Sequence, residues 1–209
     1  VAEMYPEPPR TALTIADLTE HFEGAHRPGH FEGVAIVVAK LLAGSQPSQA
    51  FFGRKDAQQL SVFGRMAADL SFPVEIVPVS TVRDSDGLSL SSRNKFLSSV
   101  DRISALALSR GLLAAAAAVE AGERDGAVLE ALVADEVGAV AGARLEYAAL
   151  ADAATVQPLA ELTTDAFLAG AARVGETRLI DNMAFSVEDD SVTFDRGVTL
   201  EGPSVLEDS

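Results

Sequence analysis

Apolar positions change period several times along the chain, and each change marks an element. From Phe31 onward Val34, Val37, Val38, Leu41 and Leu42 recur at helical spacing, with Gly44 and Pro47 as the stop. Residues 49–52 form a short apolar run ending at Gly53. Asp56 then opens a second helix in which Leu60, Phe63, Ala67 and Leu70 share a face. The next short run, 74–79, lies between Pro73 and Ser80. Runs this short and β-branched predict buried strands, so helix, strand, helix, strand is the rhythm of a parallel α/β sheet. Ligands of such sheets bind beyond the carboxyl ends of the strands, here Gly53 to Asp56 and the segment after Val79. Ahead of Phe31 the pattern is weaker: 11–15 alternates as a short strand, and 20–29 is polar with glycine.

After Arg83 the chain becomes a serine-rich, flexible-looking stretch, 84–94, containing Gly87. A long helix follows, in which Ser98 and Ser99 precede Asp101. Its Ile103, Leu106, Leu108, Leu112 and Leu113 lead into an alanine run ending at Gly122. A shorter helix covers about 128–140, and 145–150, 166–174 and 177–185 read as strands, the last two a hairpin at Gly175. The boundary falls near 81–84, giving an α/β unit over 1–82 and an α+β unit over 83–186. The tail, 187–209, lacks sustained periodicity and reads as disordered or loosely attached.

Composition narrows the classes. A chain of 209 residues holds one large domain or two small ones. Cysteine is absent, which excludes disulfides, thiolate zinc sites and cysteine nucleophiles together and fits a reducing, cytoplasmic setting. The longest apolar run, 112–119, is far short of the ~20 residues a bilayer crossing needs. The first nine residues have neither the basic start nor the apolar stretch of a secretory signal. They also lack an initial methionine, leaving room for a preceding segment. A formal charge of −15 argues against sequence-independent nucleic-acid binding. The charge is uneven, however: 187–209 carries seven acids and one base, whereas Arg54, Lys55, Arg83, Arg93 and Lys95 fall close together and suit a small phosphorylated ligand.

Three constellations carry candidate chemistry. In the first, a strand ends at Gly53 and a helix starts three residues later. Tight turning at the glycine, free amides at the helix start and the charge of Lys55 suit an anion. Asp56 is equally an ordinary helix cap, although a carboxylate there also accepts from ribose hydroxyls. Gln59 lies one turn on and points toward the same strand end, while Gln58 is expected to face solvent. The second is the loop from Gly87 through Ser89, Ser91, Ser92 and Arg93 to Asn94, which offers hydroxyls, amides and a guanidinium to a polyphosphate. Read alone it is an ordinary connector; its place at the same sheet edge as Lys55 raises it. The third is His26-Arg27-Pro28-Gly29-His30, where His30 is a possible site residue or simply a capping or packed one. No third ligand makes a zinc site, and no Walker loop, His-Glu-x-x-His or Gly-x-Ser-x-Gly motif occurs.

These residues resemble the pantothenate synthetase family, ligases that join pantoate to β-alanine at the expense of ATP. Phe52-Gly53-Arg54-Lys55-Asp56-Ala57-Gln58-Gln59-Leu60 is similar to the family's Phe-Gly-Glu-Lys-Asp-Tyr-Gln-Gln-Leu. Gly87-Leu88-Ser89-Leu90-Ser91-Ser92-Arg93-Asn94 is similar to its Gly-Leu-Ala-Met-Ser-Ser-Arg-Asn. Gly29-His30-Phe31-Glu32-Gly33-Val34 and Thr177-Arg178-Leu179-Ile180-Asp181-Asn182 also fit, so the likeness runs in order from about Met4 to Phe185. It implies a Rossmann-like nucleotidyltransferase domain, partial here with its amino-terminal strands missing, and a small α+β carboxy-terminal lid domain, in a cytoplasmic homodimer.

Carried over by position, Gly53, Arg54, Lys55, Asp56, Val82, Leu90, Ser91, Ser92 and Arg93 would contact ATP, and Gln59 would hold pantoate. Lys55, Ser91, Ser92 and Arg93 would neutralise charge on the phosphates as pyrophosphate leaves. Mg2+ would come bound mainly through the ATP phosphates. Three positions depart from the family: Arg54 for an acidic residue, Ala57 for tyrosine and Leu90 for methionine. Arg54, the one charge reversal, either tightens phosphate binding or misplaces Lys55. The family's His-x-Gly-His signature has no counterpart, because His26 to His30 has the wrong spacing. The expectation is therefore the carboxy-terminal two-thirds of such an enzyme, inactive alone. The full reaction would form pantoyl adenylate and then pantothenate, releasing AMP. Two other readings stay open: another nucleotidyltransferase of the same superfold, or a non-catalytic nucleotide-binding or dimerisation module.

Overall fold

The structure is a computed structural model that describes residues 4–7, 10–189 and 191–202. Helices α1 (Phe22–His26) and α2 (His30–Ser45) precede strand β1 (Gln49–Gly53). One 3-10 turn, Arg54–Asp56, leads into α3 (Ala57–Asp69), and β2 (Glu75–Val79) follows. Strands β1 and β2 pair in parallel, from Gln49 opposite Glu75 to Gly53 opposite Val79. The rhythm is the expected one, but the strands are not fully buried. Among the described residues this sheet has two strands, and Phe51 is 64% exposed while Ala50 and Phe52 pack inward. A sheet covered on one face buries alternate residues only. No strand forms over 11–15, although Leu13 and Ile15 pack against the neighbouring core.

Helix faces are rotated slightly from their expected positions. In α2 Phe31, Ala35, Val38 and Leu42 are buried and Leu41 is exposed; in α3 the buried set is Gln58, Val62, Phe63, Met66 and Ala67, with Leu70 exposed. Leu41 and Leu70 are single apolar residues on outer faces, which helices tolerate.

Strand β3 (Val82–Arg83) leads into the serine-rich stretch, which is folded rather than flexible. Arg83 bridges Ser89 in antiparallel fashion, the Asp84 and Leu88 backbones are hydrogen-bonded, and Leu88 and Ser89 are buried. The turn needs Gly87, whose φ is 95°. A 3-10 turn, Asn94–Phe96, precedes α4 (Ser99–Glu120), where the Ser98 hydroxyl accepts from the Asp101 amide at 3.1 Å. Asp125 caps α5 (Gly126–Gly138) in the same way. Helix α4 is long and apolar enough to span a bilayer by composition, yet it packs in the core, where a Cβ on Gly111 would meet the Val133 backbone at 2.8 Å.

Strands β4 (Ala143–Asp152), β5 (Ala166–Val174), β6 (Thr177–Glu188) and β7 (Ser191–Asp195) form an antiparallel sheet in that order. Both faces are covered. Leu150, Leu168 and Met183 pack against α4 and α5, whereas Ala151, Phe167 and Ala169 join the core of α2 and α3. Alternation along β5 sends Phe167 to one core and Leu168 to the other. The two regions divided at 82/83 in the sequence therefore share this sheet as a wall.

The expectation of a loose tail is corrected as far as Gly202. Strand β7 pairs with β6, with Phe194 opposite Phe185, and β8 (Val198–Thr199) pairs in parallel with β3. The partners of β8 lie more than a hundred positions upstream, where no local period reveals them: the Val198 amide donates to the Thr81 carbonyl at 2.8 Å. The rest of the expected tail, 203–209, and Asp190 lie outside the described residues.

Candidate active site

The carboxyl end of β1 delivers the chain into a cleft walled by the start of α2, the 3-10 turn with α3, and the central sheet. Lys55, Asp56, Gln59, Arg93 and His30 line it together, although Arg93 comes from the serine-rich loop and His30 from another helix. Two elements of the local prediction are corrected. Gly53 has φ −69° and ψ 135°, a conformation open to any residue, so the turn does not need its conformational freedom. Asp56 makes no side-chain capping bond and is exposed, which leaves its carboxylate free toward the cleft.

Other expected contacts fall outside this lining. Gly53 is open, and Val82 and Leu90 are joined by the Leu90 amide donating to the Val82 carbonyl at 2.9 Å. Ser91 lines a small void with Asn94, Ser109 and Asp181, and its hydroxyl accepts from the Arg93 amide at 3.3 Å. Ser92 is exposed at the loop tip. Of the serine loop, Arg93 lines the cleft, whereas Ser91 and Ser92 do not.

Electrostatics in the cleft are governed by arginines. Arg27 Nη1 lies 3.1 Å from His30 Nε2. Partial burial, and then the Arg27 charge, hold the His30 pKa below the ordinary imidazole value. This favours the neutral form of His30, a hydrogen-bonding group beside the cations Arg27, Lys55 and Arg93. Deeper in, Glu23 accepts from Arg178 through both oxygens, at 2.7 and 2.8 Å, and from the Tyr147 hydroxyl at 3.1 Å. Burial alone would raise the Glu23 carboxyl; the bonds and charge of Arg178 outweigh it and lower its pKa. Burial, followed by the Glu23 charge, pushes the Tyr147 phenol well up, so it stays protonated as a donor.

Arg27, from the third constellation, also lines the cleft, as do Glu23, Tyr147 and Asn182, which were not legible as site residues. Gln58 was expected in solvent and is buried: its Nε2 donates to the Leu18 and His21 carbonyls at 2.8 and 3.0 Å, and its Oε1 accepts from the Glu23 amide at 3.0 Å. A signal existed, since Gln58 stands four and eight residues before Val62 and Met66, in helical register with the inner face.

A sequence model described as pantoate-beta-alanine ligase matches residues 1–184. The chain belongs to the pantoate–β-alanine ligase family. It is 47% identical over 189 residues to a pantothenate synthetase of Moorella thermoacetica, covering 90% of this chain and 67% of that relative. The crystal structure of pantothenate synthetase from Thermus thermophilus superposes with a TM-score of 0.81 at 46% identity, covering 87% of this chain and 66% of that one. A pantoate–β-alanine ligase of Francisella tularensis, complexed with "Beta-gamma ATP and Beta-alanine", gives a TM-score of 0.64 at 30% identity, covering 87% of this chain and 60% of that one. The chain thus spans about two-thirds of the length of such relatives.

Within this ligase-family chain the departure at Arg54 has a structural account. Its Nε lies 3.5 Å from an Asp195 carboxylate oxygen, and the side chain lines a separate groove between α3 and the ends of β5 and β6. Arg54 faces strand β7, away from the cleft that Lys55 lines. The charge reversal neither adds a cation to the cleft nor displaces Lys55 from it.

Proposed function

We propose that the protein serves ATP-dependent condensation of pantoate with β-alanine, through pantoyl adenylate, releasing AMP and pyrophosphate. The observation that carries this reading is the convergence of Lys55, Arg93 and the Gln59 amide in one cleft of a pantoate–β-alanine ligase fold. A pantoate carboxylate oxygen attacks the α-phosphorus of ATP, and the bond to the bridging oxygen breaks as pyrophosphate departs. Lys55 and Arg93 stabilise the negative charge that moves onto the leaving phosphates. The β-alanine amine then attacks the acyl carbon, AMP leaves, and the amine loses a proton as the amide forms. Gln59, an uncharged amide, suits the hydroxyl and carboxylate of a hydroxy acid. Asp56, exposed and without a capping bond, would accept from the ribose hydroxyls.

Magnesium would be bound mainly through the nucleotide, with Asp56, among the described residues, the one cleft carboxylate that no arginine holds. Among the described residues no group of three or more His, Asp or Glu side chains is arranged to hold a metal ion. Of the carboxylates nearby, Glu23 is held by Arg178 and Asp181 by Arg83. Phosphate oxygens would hold the ion, which would supply further charge neutralisation there. Cytoplasmic location and a homodimer belong to the same reading and rest on the family likeness.

The test is AMP formation dependent on both pantoate and β-alanine with Mg-ATP. It is measured on the 209-residue chain alone and on the chain joined to the remaining third of a relative. Turnover in either supports the reading. No AMP from either, although both fold and the relative itself is active, overturns it.

A further inference from the structure

Asp181 and Asn182 are neighbours on β6, buried to 3% and 4% exposure, and neither side chain is needed to pair the strand. Successive side chains of a strand point to opposite faces, so this dipeptide reaches two different segments of the site. Asn182 Nδ2 donates to the Arg54 carbonyl at 2.8 Å and to the Lys55 carbonyl at 2.7 Å. Both protons of one amide are spent on the backbone of the 3-10 turn that aims Lys55. On the other face Asp181 accepts from both Arg83 terminal nitrogens, at 2.7 and 3.2 Å, and from the Ser109 hydroxyl at 2.9 Å. Arg83 passes the restraint on: Nη1 donates to the Gly87 carbonyl at 3.2 Å and Nε to the Arg196 carbonyl at 2.9 Å. The loop that carries Arg93 therefore starts from a guanidinium locked by Asp181. The Asn182 backbone amide in turn donates to Asp181 Oδ1 at 2.9 Å, tying the two together.

We propose that Asp181 and Asn182 are a positioning pair, through which the central sheet sets the Lys55 turn and the Arg93 loop at a fixed separation. Asn182 holds peptide carbonyls, so the Lys55 side chain stays free for the ligand, and the two halves of the cleft are registered to one rigid strand. The functional part of this inference rests on the reading above that Lys55 and Arg93 meet ATP; the structural part does not.

The experiment is amide hydrogen exchange across the 209-residue chain, with and without Mg-ATP, for the parent, Asn182→Ala, the near-isosteric Asn182→Asp, and Met183→Ala as a control on the same strand. Both Asn182 variants are expected to speed exchange in 54–57 at least tenfold while leaving α4 as protected as in the parent. Met183→Ala, which opens the core, should speed α4 instead. In a form that turns over, Asn182→Asp should lower kcat at least tenfold with the KM for pantoate within twofold. If neither folded Asn182 variant changes exchange at 54–57, the proposal is overturned; a fall confined to global stability, as for Met183→Ala, overturns it equally. Should Mg-ATP leave the parent's 54–57 exchange unaltered in the chain joined to the remaining third of a relative while the Asn182 variants still speed it, the positioning role stands and the nucleotide reading is what fails.

Discussion

Glu23 and Arg178 stand 155 positions apart in the chain and meet in a two-pronged ion pair, 2.7 and 2.8 Å between heavy atoms. Arg178 also holds Glu146 at 2.6 Å. The pair ties α1, which borders the cleft, to the central sheet. Its pH dependence follows from the lowered Glu23 pKa. A carboxylate whose folded pKa lies below its unfolded one stabilises the fold above the unfolded value, near 4.5. That contribution is lost as pH falls from there through the folded pKa. The parent is therefore expected to lose thermal stability below about pH 4.5 more steeply than Glu23→Gln, measured by melting temperature against pH. Parallel curves would show that the pair contributes nothing.

Gln58→Leu should destabilise the chain by about 1–3 kcal/mol, because it strands the Leu18 and His21 carbonyls and the Glu23 amide without partners. For a chain of this size that is a melting-point fall of roughly 3–10 °C. Gln59→Leu, one position on and only partly buried, should shift it far less. Equal shifts would contradict the inward role of Gln58.

In a complete form of the enzyme Lys55→Ala should lower the rate of AMP formation about 10²–10³-fold with little change in the pantoate requirement, because the proposed role sets its charge against the departing pyrophosphate. Rapid-quench measurement of the adenylation step checks this. An unchanged rate would remove Lys55 from the chemistry.

Gln59→Ala should raise the pantoate KM by roughly 5- to 150-fold, the equivalent of about 1–3 kcal/mol for buried ligand groups left unpaired. ATP affinity should stay within twofold. Weakened ATP binding with unchanged pantoate dependence would move Gln59 to the other substrate.

Local patterns in the sequence were enough for most of the elements. Helical spacing located α2 and α3, Ser98 stands where a capping residue belongs, and the hairpin at Gly175 closes as its sequence implies, whereas the Asp125 cap that starts α5 at Gly126 went unread. These features depend on residues within a turn or two of one another, which is the range that periodicity reads. The Lys55 strand end and the Arg93 loop were legible for the same reason, as short motifs. Burial of Gln58, the turning of Arg54 toward Asp195, the ordering of β7 and β8, and the grip of Asn182 on the Lys55 turn were decided only in three dimensions. Each is a polar or edge residue whose alternatives are nearly equal in energy until a distant partner supplies the matching donor, acceptor or charge. Such a partner is set by the packing of the whole chain, and no local period announces it.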